Sequence, residues 1–201
     1  MFEEYQQLFS ESIFRTIESG ITISQDELVK LRVSKKRYSQ PESKAGLLKY
    51  MFSCLGNIKP DDINGNNGIQ NILRFKPYLE DYLDTATTLT IGGVNYKGKL
   101  SIDFGTKEVR TLLYDLMPDY NKINVHVWLT LPTLEIIDLT FLEMQNNQRG
   151  LSFNNPREFE YIFDSLDNIS YKESITYKPM LLGCDSLYKL DLVSPKLKLI
   201  S

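Results

Sequence analysis

The stretch Asn124-Val-His-Val-Trp-Leu-Thr-Leu131 alternates without a break: positions 125, 127, 129 and 131 are Val, Val, Leu and Leu, while 124, 126, 128 and 130 are Asn, His, Trp and Thr. A period of two marks a strand with one aliphatic face and one polar and aromatic face. Pro132-Thr133 is a turn signal, and Glu135 to Phe141 is a second β-forming run. The pair predicts an antiparallel hairpin, whose aliphatic face must be covered by another layer. If the loop is Leu131, Pro132 and Thr133, His126 lies directly opposite Asp138 and Trp128 opposite Ile136. A two-residue loop shifts the register by one and sends His126 and Asp138 to opposite faces.

The covering layer is sought in the N-terminal half, where the periodicity is helical. Phe2, Tyr5, Phe9, Ile13 and Ile17 recur at spacings of three and four, with Gly20 as a stop. Ser24 and Glu27 form a capping-box pattern that predicts a second helix from Gln25 to about Lys36, closed by the basic triplet Lys35-Lys36-Arg37. Pro41 opens a third, with Leu47, Leu48, Met51, Phe52 and Leu55 as its stripe and Gly56 after its end. The turn formers from Ile58 to Gly68 predict a loop. A helix then runs from about Asn67 to Leu83, interrupted or restarted at Pro77.

Thr87 to Val94 reads as a strand, with Gly92-Gly93 as a bulge or point of close approach, and Lys99 to Phe104 as a short partner. Thr106 is expected to cap a helix through Val109, Leu112, Leu113 and Leu116. Asn155-Pro156 with Glu158 predicts a last helix through Phe159, Ile162, Phe163 and Leu166. The tail from Ser174 reads as short strands and loop. Helices first and strands later give an α+β chain, a single domain over 1–201 with a helical N-terminal part over 1–40.

Composition excludes several functions. The 201 residues carry 23 Lys plus Arg against 26 Asp plus Glu, a net charge of −3, which makes the chain a poor candidate for general nucleic-acid binding, since that needs a concentrated basic surface. One histidine and two cysteines leave no ligand set for zinc. No cofactor motif is present: there is no GxSxG and no P-loop. No apolar run is long enough to span a bilayer and the N-terminus has no signal-peptide pattern, so the expectation is a soluble cytoplasmic protein with no membrane partner.

A carboxylate beside an imidazole accepts the proton of one ring nitrogen, fixes the tautomer and stabilises the imidazolium when the other nitrogen takes a proton. His126-Val-Trp128 on a strand, followed after a hairpin by Ile136-Ile-Asp138-Leu-Thr140, resembles the transglutaminase-like branch of the papain-fold superfamily. The resemblance covers roughly residues 85 to 141, and the block 41–201 is read as the corresponding core. It implies a Cys-His-Asp triad in that chain order, with His126 as the base, Asp138 as the orienting acid and Trp128 as the aromatic that follows the histidine. It also implies a thiolate at the N-terminus of the helix before the Thr88–Val94 strand, where the helix dipole lowers a thiol pKa.

That place holds Asn64-Gly-Asn66-Asn67-Gly68 and no cysteine. Asn66 or Asn67 is expected to cap the helix and point toward His126 and Trp128. Cys54, the only cysteine before His126, falls in the last turn of the third helix, where the dipole disfavours a thiolate, and reads as a small buried hydrophobe. Cys184 follows His126 and does not fit the triad order. Two functional classes remain. One is a degenerate transglutaminase-like domain that binds a peptide, a protein or a small acyl ligand. The other is an active cysteine hydrolase or acyltransferase in which Cys54 attacks, His126 is general base and acid, and Asp138 orients it. Oligomeric state is not legible in the sequence.

Overall fold

The structure is a computed structural model, which describes residues 2–29, 31, 37–55, 68–142 and 161–193. It is α+β. The helices are α1 (Phe2–Glu18), α2 (Pro41–Leu55), α3 (Gly68–Leu83), α4 (Thr106–Tyr114), α5 (Leu166–Glu173) and α6 (Cys184–Lys189). The strands are β1 (Thr88–Tyr96), β2 (Lys99–Ile102), β3 (His126–Thr130), β4 (Ile136–Asp138), β5 (Ile162–Asp164) and β6 (Ile175–Leu182).

All six strands pair antiparallel in one sheet built around β1. One edge of β1 pairs with β6. The other pairs first with β3, Thr88 to Gly92 against Thr130 to His126, and then with β2 across the turn Lys97-Gly98. Both turn residues have positive φ, 50° and 71°, as a two-residue hairpin with the right twist requires. β4 and β5 extend the sheet beyond β3.

Helices cover both faces. Leu47 and Met51 of α2, Ile72, Phe75 and Leu79 of α3, and Val109 and Leu112 of α4 pack with Leu89, Ile91, Val127, Leu129 and Ile137. On the opposite face, Tyr5 and Phe9 of α1 and Leu166 and Ile169 of α5 pack with Trp128, Ile136, Ile162 and Tyr177. The polar face of β3 is therefore as buried as the aliphatic one. Its hydroxyls and indole pair with one another and with α1: Trp128 Nε1 donates to Tyr5 Oη at 2.9 Å, and Thr130 Oγ1 lies 2.8 Å from both Tyr5 Oη and Thr90 Oγ1.

The α1 stripe differs from the aliphatic reading in its second half. Ser12 and Thr16 face inward and Ile17 is 59% exposed, because the helix docks on the polar edge of β6. Thr16 Oγ1 accepts from Leu182 N at 2.9 Å, and Arg15 donates to Pro179 O at 3.1 Å, so α1 occupies backbone groups of that edge strand. Gly20, at φ 69°, ends the helix with Ile21 N bonded to Thr16 O.

Four other expectations are corrected. Residues 25–28 form turns, not the start of a helix. There the chain is drawn into the sheet: Val29 N donates to Thr88 Oγ1, which donates to Glu27 O. The remainder of that segment, 30 and 32–36 with Lys35 and Lys36, lies outside the described residues, and Arg37 donates to Thr133 O. Ile162 and Phe163 belong to strand β5, paired with β4, not to a helix; Asn155 to Phe159 lie outside the described residues. Pro77 sits inside an uninterrupted α3, and Gly105, whose amide donates to Glu108, caps α4 in place of Thr106.

A candidate site at the His126 and Asp138 pair

The hairpin loop has three residues, as read, but they are Pro132, Thr133 and Leu134. Leu131 N bonds Glu135 O, Leu134 N bonds Leu131 O, and Leu134 takes φ 60°. A tight turn followed by one left-handed residue is a normal three-residue connection; a leucine there carries no sequence signal. Sliding the loop by one residue at each end moves the register by two. Thr130, not Trp128, faces Ile136, and Leu129 faces Ile137. Because side chains alternate with period two, a shift of two keeps His126 and Asp138 on one face. They meet diagonally: His126 Nε2 lies 2.6 Å from Asp138 Oδ2.

Asp138 is fully buried and fully partnered. Oδ2 receives His126 Nε2 and the Tyr177 hydroxyl at 2.7 Å, while Oδ1 receives Thr140 N at 3.0 Å and Phe141 N at 3.1 Å. Those two backbone bonds end β4 at Asp138 and turn the chain, which is why the strand does not continue to Phe141. Burial alone would push this carboxyl up. The charge and hydrogen bond of His126, the Thr140 amide and the Tyr177 hydroxyl outweigh it and hold the carboxyl below its ordinary value. Burial first, and the neighbouring carboxylate second, push the Tyr177 hydroxyl well up, so it remains a donor.

His126 is 5% exposed and sits between Trp128, stacked at 6.1 Å, and Phe141, edge-on at 5.5 Å. With Nε2 given to Asp138, Nδ1 is the nitrogen left for a substrate or a nucleophile, and among the described residues nothing bonds to it. Trp128 is completely buried, its ring packed against those of both His126 and Tyr177 rather than forming an open binding surface. Gly92 makes room for it: a Cβ there would overlap the Lys178 carbonyl oxygen and come within 2.8 Å of the Trp128 ring. The reading of Gly92-Gly93 as a point of close approach therefore holds.

α3 begins beside the pair. A Cβ on its first residue, Gly68, would lie 3.2 Å from Thr140 Oγ1. Asn66 and Asn67 lie outside the described residues. Cys54 is in the last turn of α2, as expected, but it is exposed, not buried. Its thiol lies against the Tyr50 hydroxyl, which donates to Asp81 near the C-terminal end of α3. From Gly68 to Asp81 the helix rises about 20 Å, so Cys54 is at the end of α3 away from His126. Cys184 opens α6, its amide 3.4 Å from Glu27 Oε2; burial and then the Glu27 carboxylate push its thiol far up. The structure brings His126, Asp138 and Trp128 together and neither cysteine to them.

Tyr177 was missed by the sequence reading. No local pattern flags it, because its position depends on a bulge. β1 pairs Ile91 with Leu181 but Gly92 with Pro179, leaving Met180 as an extra residue in β6. That residue reverses the phase of the strand and turns Tyr177 onto the His126 face.

Comparison with models of protein families, with curated proteins and with solved structures finds no match. Among the described residues no helix is long and apolar enough to cross a membrane, and no three His, Cys, Asp or Glu side chains are grouped to hold a metal ion.

Proposed function

We propose that this chain is a transglutaminase-like domain that has kept the base and its orienting acid, lost the nucleophile, and binds a peptide or acyl-bearing partner instead of cleaving it. The observation that carries this reading is the contrast between a buried, hydrogen-bonded His126–Asp138 pair and two thiols that both lie elsewhere. A buried imidazole–carboxylate pair is costly to assemble. Its Nδ1 offers one acceptor position to an incoming amide N–H or hydroxyl, and without a nucleophile that position recognises rather than reacts. The active alternative would need Cys54 beside His126, and the Tyr50–Asp81 contact holds it at the other end of α3.

The test is to install the missing group. In a Cys54→Ser, Cys184→Ser background, Asn67→Cys or Asn66→Cys should react with iodoacetamide at neutral pH at least about tenfold faster than the same variant carrying His126→Ala, as a histidine-paired thiol does. The same background should bind N-acetylated peptide amides, read from the fluorescence of the single tryptophan, with no hydrolysis. If neither new thiol senses His126, the vacated-nucleophile reading fails. Turnover of a thioester or amide that depends on Cys54 would establish the enzyme in its place.

A further inference from the structure

The Asp138 carboxylate has a second side-chain partner, from a strand that no triad pattern includes. The Tyr177 hydroxyl and His126 Nε2 bond the same oxygen, Oδ2, at 2.7 and 2.6 Å, and the backbone amides of Thr140 and Phe141 fill Oδ1. Tyr177 reaches Oδ2 only because Met180 bulges out of β6 and inverts the strand. Its ring is 1% exposed and lies 4.9 Å from that of Trp128. A phenylalanine would satisfy that packing equally well, so the hydroxyl answers to Asp138.

We propose that Tyr177 is a positioning residue of this site: by donating to the oxygen that also receives His126 Nε2–H, it locks the Asp138 carboxylate in one rotamer and so keeps His126 in the tautomer whose free nitrogen is Nδ1. The inference rests on the reading of His126 and Asp138 as a base and its orienting acid. With four donors around it, the carboxylate has no acceptor position to spare for swinging away from the imidazole. Without the hydroxyl, Oδ2 has one donor, and the anchor of the histidine loosens. The titratable groups facing the imidazole are Asp138 from β4 and Tyr177 from β6, with Tyr5 of α1 behind Trp128. Among the described residues no lysine or arginine bonds to Asp138, so no cation stands ready to replace the lost donor.

His126 is the only histidine among the 201 residues, so its ring resonances are unambiguous in this chain. In the wild type the neutral ring should carry its proton on Nε2. Tyr177→Phe should speed exchange of that proton with water at least about tenfold, the loss expected for one hydrogen bond to a charged group. It should also raise the pKa of Asp138, followed by its carboxyl carbon. In an Asp138→Asn background, Tyr177→Phe should leave the His126 ring signals unchanged. Unaltered exchange and unaltered Asp138 titration in a folded Tyr177→Phe protein would overturn the proposal. So would an equal effect in the Asp138→Asn background, which would make the role one of packing. If Tyr177→Phe does not fold, the wild type still decides: the Tyr177 hydroxyl proton must be protected from exchange and show a nuclear Overhauser effect to the His126 Nε2 proton, and its absence refutes the arrangement. None of these readouts uses a ligand or a cysteine. A protein that passes them while failing the Asn67→Cys alkylation test keeps the positioning role and loses the vacated-nucleophile reading.

Discussion

His126 and Asp138 are not cross-strand partners, yet His126 Nε2 and Asp138 Oδ2 stand 2.6 Å apart. Continuing the Leu129–Ile137 and Thr130–Ile136 pairs puts Trp128 opposite Asp138. The imidazole reaches one pair along the strand, and the indole packs beside it on the same face. Diagonal neighbours are within range of long side chains, and here the bond is buried on every side.

Breaking this bond should be expensive. Asp138→Ala leaves two backbone amides, a phenol and an imidazole without their acceptor, and the loss should be about 3–5 kcal/mol in urea unfolding. Asp138→Asn keeps the shape and should cost less. A loss below about 1 kcal/mol for Asp138→Ala would show that the pair is not held as described.

The acid side of the stability profile follows from the same carboxyl. Asp138 and Asp164 are both held below their ordinary values. For Asp164, burial opposes the shift, and Lys44, Asn168 and Ser165 N outweigh it. A carboxyl lowered on folding adds stability that is fully present above its unfolded pKa, about 3.9, and is lost as pH falls from there through the folded value. The wild type should therefore lose stability as pH drops below about 4. Asp138→Asn should flatten that fall, and urea midpoints measured from neutral pH into this range will show it. An unchanged slope would place the lowered carboxyl elsewhere.

Gly92→Ala introduces a methyl group where the Lys178 carbonyl and the Trp128 ring already stand. Neither backbone nor indole can move without disturbing β6 or the His126 pocket. The expected cost is about 3 kcal/mol, at the upper end for overpacking. The emission of Trp128, the only tryptophan and fully buried, should move to the red. A stable variant with unshifted emission would contradict the packing.

Tyr5→Phe removes the hydroxyl that accepts from Trp128 Nε1 and bonds Thr130 Oγ1. The indole N–H is left buried without that partner, which should cost about 1–3 kcal/mol. Tyr171→Phe, at an exposed ring, should change stability by less than about 0.5 kcal/mol and serves as the control.

The two thiols should differ sharply. Cys54 is exposed, while burial and Glu27 suppress the Cys184 thiolate. Iodoacetamide should therefore label Cys54 well before Cys184 in the native state. His126→Ala should leave the Cys54 rate unchanged, because Cys54 lies at the far end of α3; a slower rate in that variant would revive Cys54 as a nucleophile.

Local chemistry alone determined much of this protein. The period-two run 124–131 specified β3, the spacing of Tyr5 and Phe9 specified the inner face of the first half of α1, and the paired glycines at 92 and 93 marked where β1 is crowded, Gly92 by the Lys178 carbonyl and the Trp128 ring and Gly93 by the Ile102 carbonyl. An even register shift cannot move a residue to the other face, so the meeting of His126 and Asp138 survived a loop placed one residue early. The tertiary structure decided what periodicity cannot encode. Ile162 and Phe163 are apolar in either a helix or a strand, and the free edge of β4 selected the strand. The Ser24 capping box yielded to Thr88, whose hydroxyl bonds the chain at Glu27 and Val29. Tyr177 is one of twelve tyrosines, and only the extra residue at Met180 turns it toward Asp138. A bulge is settled by how two strands twist and pack against each other, so its consequence appears only when β1 and β6 are side by side.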